Sequence, residues 1–409
     1  MKILSRIWMG TALFALCACN MDVNNPSVID ASTFDPRADA SLLSLSAQSN
    51  LHRAVSSIVP FSAFFSQEAW VGAVRAETND IGRRVMSAAT SDVNSSLWTP
   101  LQRSLATNEA AVELLAAGPN AAADVNLARA AMNSGFSLVL LAEHFCQGTI
   151  RGGKPLTPDE MLDTAIARFT RAVAVGAAAG TAGVAEGTKI VNASNVGLAR
   201  AHLQKKEYAA AAQAADLVPA AFVYNAVNVD DASNRGLGNG VFSYDQSALI
   251  VVPDTYRALN DPRVKWLDTG RQAQDVQLRY YQQQKYTGYA NPIRIASGLE
   301  AQYISAEAKL QTGDPAPALA LIAARRAANG QAPFTGAGDA AILAELMDQR
   351  AREFWLEAKH TGDRVRNPAA TPYVPAEGTP FYKPSQGNFG PASCLPVPLA
   401  EVAANPNFP

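Results

Sequence analysis

Two glutamates in the segment RAREFWLEAKHTGDRVR could do chemistry, because Glu353 and Glu357 are spaced four residues apart. On one face of a helix, this spacing brings two carboxylates close together, as in a glycosidase acid/base pair. The segment is also rich in arginine, and an arginine that pairs with a carboxylate keeps it ionised, which is wrong for a general acid. We therefore predict a structural charge network, whose members are Arg352, Glu353, Glu357, Asp363 and Arg366.

Other catalytic patterns are missing from the sequence. The four histidines are scattered, and none belongs to a His-Glu-x-x-His zinc motif. There is also no Gly-x-Ser-x-Gly segment of the kind that presents a nucleophilic serine. The sequence thus predicts no metal site and no cofactor, and it predicts that the protein is not an enzyme.

Aromatic side chains offer a binding surface instead. Sugar rings present apolar C–H faces that pack on tyrosine or tryptophan, while their hydroxyls need polar partners nearby. Two segments combine such residues, the loop-like SQEAWVGAVRAETND and the tyrosine-rich RYYQQQKYTGY. For each aromatic residue, packing in the core is the competing interpretation. The candidate ligand-binding residues are Trp70, Arg75, Asn79, Asp80, Arg279, Tyr280, Tyr281 and Tyr289.

The amino terminus has the layout of a secretory signal peptide, with Lys2 and Arg6 before a short apolar run. The run is too short to span a bilayer, which takes about 20 residues. It ends in LCAC, which resembles a bacterial lipobox, and this resemblance implies that Cys19 is lipidated. We expect a signal peptide over residues 1–18 and a lipidated tether over residues 19–30.

The cysteines and the net charge indicate the environment of the protein and the class of its partners. Cys146 and Cys394 remain beyond the lipidation site, and we expect them to form a disulfide because an exported chain meets oxidising surroundings. The formal net charge is −2, with no basic run, which argues against a nucleic-acid partner.

Apolar residues recur at helical spacing along most of the chain. The segments ARAHLQKKEYAAA and AEAKLQTGDPAPA resemble each other, and each predicts a helix ending near Gln204 or Gln311, a tight turn and a second helix. This pattern is typical of a tetratricopeptide hairpin, although two ordinary helical hairpins would give a similar pattern. We predict an all-α, tetratricopeptide-like scaffold with few short strands and a loop-rich binding face, divided into halves over residues 31–230 and 231–409.

Several motifs together resemble the SusD/RagB family of outer-membrane nutrient-binding lipoproteins. They are NNPSVIDASTF after the lipobox, the hairpin YISAEAKLQTGDPAPALALIAARRAANG, the charged segment from Arg350 to Arg366, and the closing CLPVPLAEVAANPNFP. The resemblance implies a lipid-anchored protein on the outer-membrane surface. It would bind a nutrient, in our interpretation an oligosaccharide, and act as the lid of a SusC-like TonB-dependent transporter. The alternatives are an all-α glycoside hydrolase or lyase, and a helical scaffold for protein contacts.

Overall fold

The structure is a computed structural model that describes residue 35 and residues 39–408. The predicted signal peptide, Cys19 and the tether lie outside the described residues. From Asp39 onward the described chain belongs to one compact unit. The predicted boundary between the halves falls within this unit and stays a prediction.

The described chain is mostly helical, and a single π-helical turn (Val93–Trp98) leads directly into its third α-helix. The α-helices are α1 (Ala40–Ser66), α2 (Ala76–Arg83), α3 (Thr99–Ala116), α4 (Val125–His144), α5 (Pro158–Thr181), α6 (Ala185–Gln204), α7 (Tyr208–Asp216), α8 (Gly240–Gln246), α9 (Asp254–Arg257), α10 (Gly298–Gln311), α11 (Ala316–Ala328), α12 (Asp339–Glu353), α13 (His360–Arg366) and α14 (Leu399–Ala404).

Consecutive long helices pack against each other as hairpins. Helices α3 to α7 each contact the next in the chain, α7 also contacts α10, and α10 continues through α11 to α12. Helices α6 and α10 end at Gln204 and Gln311, the positions that the two similar segments indicate. The all-α, tetratricopeptide-like class predicted from the sequence is therefore confirmed.

Small residues let these helices approach closely. Gly135 on α4 and Gly197 on α6 both face the ring of Phe169 on α5, and a Cβ atom at either glycine would lie within 2.8 Å of that ring. An alanine at these places would push the helices apart, since real Cβ atoms do not come so near. At the start of α5, Thr157 and Glu160 form a reciprocal capping box that fixes where the helix begins.

One helix, α4, is long and apolar enough to cross a membrane by length and composition alone. Its apolar window is 89% buried inside the protein, as expected for the central helix of a packed bundle. The first turns of α1 behave differently, because Leu42 and Leu45 are 60% and 46% exposed. Both leucines therefore lie outside the packed core.

Short antiparallel strand pairs involve strands that lie between α7 and α10, except β1, which follows α1. Strand β1 pairs with β3, β2 with β6, and β4 with β5. A backbone hydrogen bond from Val252 to Tyr281 (2.9 Å) also ties the end of β3 to β5. The strands are β1 (Trp70–Val71), β2 (Val223–Ala226), β3 (Ile250–Val251), β4 (Trp266–Gln272), β5 (Arg279–Gln283) and β6 (Ile293–Ser297).

A disulfide bond joins Cys146, just after α4, to Cys394 near the end of the chain. The two residues are 248 positions apart in sequence, and their Cα atoms lie 5.2 Å apart. Backbone hydrogen bonds from Cys146 and Leu395 flank the bridge and hold the carboxyl-terminal segment against the end of α4. The bridge thus fastens the tail to the helical scaffold.

Candidate functional site

The site begins with two stacked rings. Trp70 on β1 lies parallel to Tyr382, with ring centroids 4.5 Å apart and an interplanar angle of 16°. Both side chains are half-buried, so part of the pair faces solvent. The Tyr382 hydroxyl accepts a hydrogen bond from the backbone N–H of Val71 (2.6 Å), which fixes the pair in place. We call Trp70 and Tyr382 the aromatic platform.

Beneath the aromatic platform lies a small apolar cluster that includes Tyr280. The Tyr280 hydroxyl donates to the backbone oxygen and side chain of Asp245, at 2.6 and 2.8 Å. Burial raises the pKa of Asp245 to about 6, although hydrogen bonds from Gln282 and Tyr280 oppose the shift. Since Tyr280 is only 2% exposed, the prediction that it contacts ligand is corrected: it supports the platform from below.

The segment that follows Trp70 is not the loop that the sequence suggested, because helix α2 starts at Ala76. Asn79 on this helix is fully buried, and its side-chain oxygen accepts from the Lys383 ammonium (2.9 Å). Lys383 also pairs with Asp275 at 2.9 Å. Asn79 is therefore corrected from a ligand residue to one that fixes the residue after Tyr382.

Two other predicted residues near Trp70 remain accessible. The side chain of Arg75 is 60% exposed and pairs with the buried Asp92 at 2.9 Å. Asp80 is half-buried and pairs with Arg83 at 2.7 Å. Gln274 is exposed, and its side-chain oxygen accepts from the backbone N–H of Val74 (3.2 Å). The segment that follows Trp70 thus keeps polar side chains at the surface.

A second aromatic surface lies along the β4–β5 hairpin. Tyr281 follows Tyr280, and successive strand residues point to opposite faces. The Arg257 guanidinium lies 3.5 Å from the Tyr281 ring centroid, and Trp266, 38% exposed, meets that ring edge-on at 5.7 Å. Trp266 also lines an open groove of about 630 Å³. The exposed Arg279 pairs with Asp268 (2.8 Å) on the same hairpin.

Tyr289 belongs to a different cluster from the other predicted tyrosines. Its ring meets Phe242 edge-on at 4.8 Å, and the Arg235 guanidinium lies 4.2 Å from its centroid. The structure therefore brings Trp70, Tyr280 and Tyr281 to one corner of the fold and leaves Tyr289 out of it.

The two glutamates that are spaced like a catalytic pair do not share a helix. Helix α12 ends at Glu353, and Glu357 lies beyond it, so the expected arrangement on one helical face is wrong. Glu357 pairs with Lys285 (2.7 Å) and Arg294 (2.9 Å), while Glu353 pairs with Arg325 (2.6 Å). Burial raises the pKa of Glu357, but Lys285 and Arg294 lower it more strongly, to about 2.

The remaining members of the charge network also have partners. Arg352 pairs with Asp348 (2.7 Å) and Asp261 (3.2 Å). Asp363 pairs with Arg350 (2.8 Å) and Arg366 (2.9 Å). Burial raises the pKa of Asp363, yet the two arginines bring it down to about 2. Carboxylates held ionised in this way cannot donate a proton to a leaving group near neutral pH.

Arg350, Asp363 and Arg366 are part of a larger buried charge core that links helices from both ends of the chain. Its ion pairs run from Glu143–Arg200 (2.5 Å) through Lys359–Glu300 (2.6 Å) to Arg366–Glu307 (2.6 Å). Four acidic and four basic side chains balance each other, and all are buried. The members are Glu143, Arg200, Glu300, Glu307, Arg350, Lys359, Asp363 and Arg366.

Besides Asp245, a second buried carboxyl has a pKa raised into the range suited to proton transfer. Burial raises the pKa of Glu68 to about 8, although a hydrogen bond from the Leu356 N–H opposes this shift. Glu68 is completely inaccessible to solvent, and its second carboxyl oxygen accepts from Ser66. A substrate has no path to it in this structure. Among the described residues there is also no group of three His, Cys, Asp or Glu side chains that could hold a metal ion.

Sequence reasoning missed the residues that complete the site. Tyr382 and Lys383 lie in PFYKPSQGNF, more than 300 positions after Trp70, and only the fold brings them together. Trp266 and Arg257 were missed in the same way. A signal existed for Tyr382, since it sits between glycines and prolines in a segment without helical periodicity, where a large aromatic residue is unusual.

The fold defines a class of protein with known structures. No protein-family model matches the chain, and no curated protein does. Among solved structures, a SusD superfamily protein from Parabacteroides distasonis ATCC 8503 is similar, with a TM-score of 0.68, 15% identity, and coverage of 91% of this chain and 98% of that one. The chain thus has the fold of the SusD superfamily.

Two further structures agree. A SusD/RagB family protein from Bacteroides thetaiotaomicron VPI-5482 gives a TM-score of 0.65 at 14% identity, covering 88% of this chain and 95% of that one. Surface glycan-binding protein A from Bacteroides uniformis gives a TM-score of 0.66 at 14% identity, covering 90% of this chain and 98% of that one. The resemblance to SusD/RagB proteins inferred from the motifs is confirmed at the level of the fold.

Proposed function

We propose that this protein is a SusD/RagB-type lipoprotein that binds a glycan on the outer-membrane surface without degrading it. The observation that carries the proposal is the aromatic platform, a stacked and partly exposed pair of rings on a scaffold with the SusD/RagB fold. One structure with this fold is named a surface glycan-binding protein. A polymer of sugars is the ligand class that such a platform suits.

The physical basis is the two-sided character of a sugar ring. Its C–H groups pack on the flat face of an indole or phenol, while its hydroxyls require donors and acceptors at the rim. Here the exposed Arg75 follows Trp70 by five positions, and the exposed Gln274 is hydrogen-bonded to Val74 of the same segment. These side chains offer donors and an acceptor. Because the rings are already stacked and hydrogen-bonded, little conformational entropy is lost when a ligand binds.

The state of the buried carboxylates supports the proposed absence of turnover. Glycoside hydrolysis needs one protonated and one ionised carboxyl across a bond that water can reach. Glu357 and Asp363 both have a pKa of about 2 and are buried in ion pairs. Glu68 and Asp245 have a raised pKa, but both side chains are buried and hydrogen-bonded within the protein. Binding is therefore the function that the geometry supports.

The anchor and the partner extend the proposal beyond the described residues. Lipid on Cys19 would hold the protein on the membrane, since several acyl chains on one residue anchor stably. A tethered protein cannot carry a solute across the membrane. We propose that it closes over a SusC-like TonB-dependent barrel and that the ligand is held between the two proteins, so the isolated protein binds more weakly than the complex.

Glycan binding can be tested by titrating the purified protein with a panel of oligosaccharides while assaying for their breakdown. We expect binding without turnover, and a loss of roughly tenfold or more in Trp70→Ala, since ring stacking contributes about 0.5–1.5 kcal/mol beyond the apolar area that it buries. Tyr208→Ala is the control, because it removes a half-buried aromatic side chain from α7, which carries no residue of the candidate site. Breakdown of any glycan, or equal binding by wild type and Trp70→Ala, contradicts the proposal.

The anchor and partner need separate experiments in cells. Cys19→Ala should abolish acylation and membrane association, whereas Cys17→Ala should leave both intact. Gentle detergent extraction should co-purify the wild-type protein with a barrel partner, and deleting the gene should impair growth on one limiting nutrient. A free monomer in detergent together with normal growth on every nutrient tested would overturn the lid model.

A further inference from the structure

A groove between α1 and the start of α3 lies outside the site described above. It has a volume of about 270 Å³, at the small end of ligand pockets and suited to a single sugar ring. The π-helical turn Val93–Trp98 forms part of its wall, and such turns occur frequently at functional sites. The lining residues are Asn50, Arg53, Ala54, Ser57, Ser95, Thr99, Pro100, Arg103 and Gly236.

The groove is positively charged. Arg53 and Arg103 are exposed, and within the described part of the chain neither guanidinium has a hydrogen bond or an ion pair. No acidic residue lines the groove, and α1 contains no Asp or Glu along its whole length. The glutamates of α3 are engaged elsewhere, Glu109 with Arg168 and Glu113 with Arg151. Two unpaired arginines on facing helices suit a carboxylate or sulfate group.

The hydroxyl groups of the groove are available as hydrogen-bond acceptors, because each already donates its proton within the protein. Ser57 donates its proton to the backbone oxygen of Ser96 (2.8 Å), and Ser95 donates to that of Ser91 (3.0 Å). The hydroxyl of Thr99 likewise donates to the side chain of Asn94 (3.2 Å). Each oxygen keeps lone pairs for an incoming O–H donor. An inorganic anion such as sulfate has no proton to donate to these acceptors. A sugar with an anionic group can place that group on the arginines and donate from its hydroxyls to the serine and threonine oxygens.

We propose that this groove binds an acidic sugar residue, with its carboxylate or sulfate on Arg53 and Arg103 and its hydroxyls on the serine and threonine oxygens. The proposal rests on the proposed glycan-binding function and narrows its substrate class to glycans with anionic residues. The aromatic platform contacts neutral ring faces, while the groove selects for charge. Binding should weaken as salt concentration rises, because exposed charges are screened.

The test is a titration of the full-length protein, in mild detergent, with three oligosaccharides of equal length: one neutral, one containing uronic acid and one sulfated. The double variant Arg53→Gln/Arg103→Gln removes both charges, and its fold is expected to persist because neither side chain has a partner. Lys189→Gln/Lys206→Gln is the control, since it removes the same charge from exposed positions on other parts of the surface. Inorganic sulfate serves as a competitor.

We expect an acidic oligosaccharide to bind at least about tenfold more tightly than the neutral one, and the arginine double variant to lose that advantage while the lysine variant keeps it. The uronic and sulfated ligands show which anion is preferred. Equal binding of acidic and neutral glycans, or an unaffected double variant, overturns this inference and leaves the proposed function intact. Displacement by sulfate at the ligand's own concentration also overturns it. If no glycan of any kind binds, both proposals fail.

Discussion

The buried charge core and the aromatic platform both join distant parts of the chain, but they differ in their access to solvent. The charge core encloses eight charged side chains whose charges cancel, and all are buried. The platform leaves two stacked rings partly in solvent. A buried ion pair is closed to a ligand, whereas a partly exposed ring can contact one.

This difference shows why ionisable density alone is a poor guide to function. The most acidic and basic segment of the sequence forms the frame, because pairing fixes each charge and makes it chemically inert. The less conspicuous Trp70 has the free surface. The difference also predicts that mutations in the two regions affect separate properties, stability in the charge core and ligand affinity in the platform.

The largest effect is expected from removing one charge of the core. Arg366 is 2% exposed in its side chain and pairs with Glu307 and Asp363. Arg366→Leu leaves Glu307 buried without its cation and takes from Asp363 one of its two arginines, which should lower the free energy of unfolding by about 3–5 kcal/mol. Denaturant unfolding measures this loss. Arg53→Leu is the control, because Arg53 is exposed, and it should change the free energy of unfolding by less than about 0.5 kcal/mol. A loss below about 1 kcal/mol for Arg366→Leu would show that the core is not the frame.

The disulfide should rank next. Replacing Cys146 and Cys394 by serine removes a link that closes a loop of 248 positions. The expected cost is about 2–5 kcal/mol of unfolding free energy, since the longer unfolded chain regains entropy. Wild type in the presence of a reductant should approach the variant in denaturant unfolding. If oxidised wild type and the variant unfold at the same denaturant concentration, the bridge adds nothing to the frame.

Glu68 should give stability an unusual pH dependence. Burial raises its pKa from 4.5 to about 8 in the folded protein. Because the folded protein holds this proton more tightly than the unfolded chain, Glu68 stabilises the fold fully at pH values below its unfolded pKa. This stabilisation declines as pH rises from about 4.5 to 8. At 1.36 kcal/mol per pKa unit, the loss between pH 5 and 8 is roughly 2–4 kcal/mol. Glu68→Gln keeps an acceptor for the Leu356 N–H, and its free energy of unfolding should vary less with pH than that of wild type. If denaturant unfolding shows the same pH dependence for both proteins, the prediction is wrong.

The smallest effect concerns the turn between α12 and α13. Ala358 has a positive φ of 55°, a conformation that costs an alanine about 1–2 kcal/mol relative to glycine. Ala358→Gly relieves this strain, whereas Ala351→Gly removes the same buried methyl group from within a helix. We expect the first variant to be more stable than the second by about 1–2 kcal/mol in thermal unfolding. The reverse order would mean that the turn is not strained.

Local features of this protein could be read from its sequence, and distant ones could not. The helix ends at Gln204 and Gln311 and the capping box at Thr157 depend on neighbouring residues, so pattern and propensity predict them. The partners of Glu357 are Lys285 and Arg294, which the fold brings from about 60 to 70 positions away. Spacing within one segment says nothing about such neighbours.

The site follows the same rule. Trp70 was predicted from its type and surroundings, but its stacking partner Tyr382 comes from the other end of the chain. Tyr280 and Asn79 have the composition of ligand residues, yet they are buried beneath the surface that they were predicted to form. Residue type indicates what a side chain can do, and only burial shows whether a ligand can reach it.

The central claim is that the aromatic platform binds the ligand and that the buried ion pairs, including those of Glu357, only support the fold. One titration with two variants tests this claim most directly. Trp70→Ala and Glu357→Gln are compared with wild type for glycan affinity, melting temperature and glycan breakdown. We predict that Trp70→Ala loses roughly tenfold or more in affinity, while Glu357→Gln melts at a lower temperature and binds like wild type. Glycan breakdown by wild type that Glu357→Gln abolishes, with Trp70→Ala unchanged in affinity, would contradict the account.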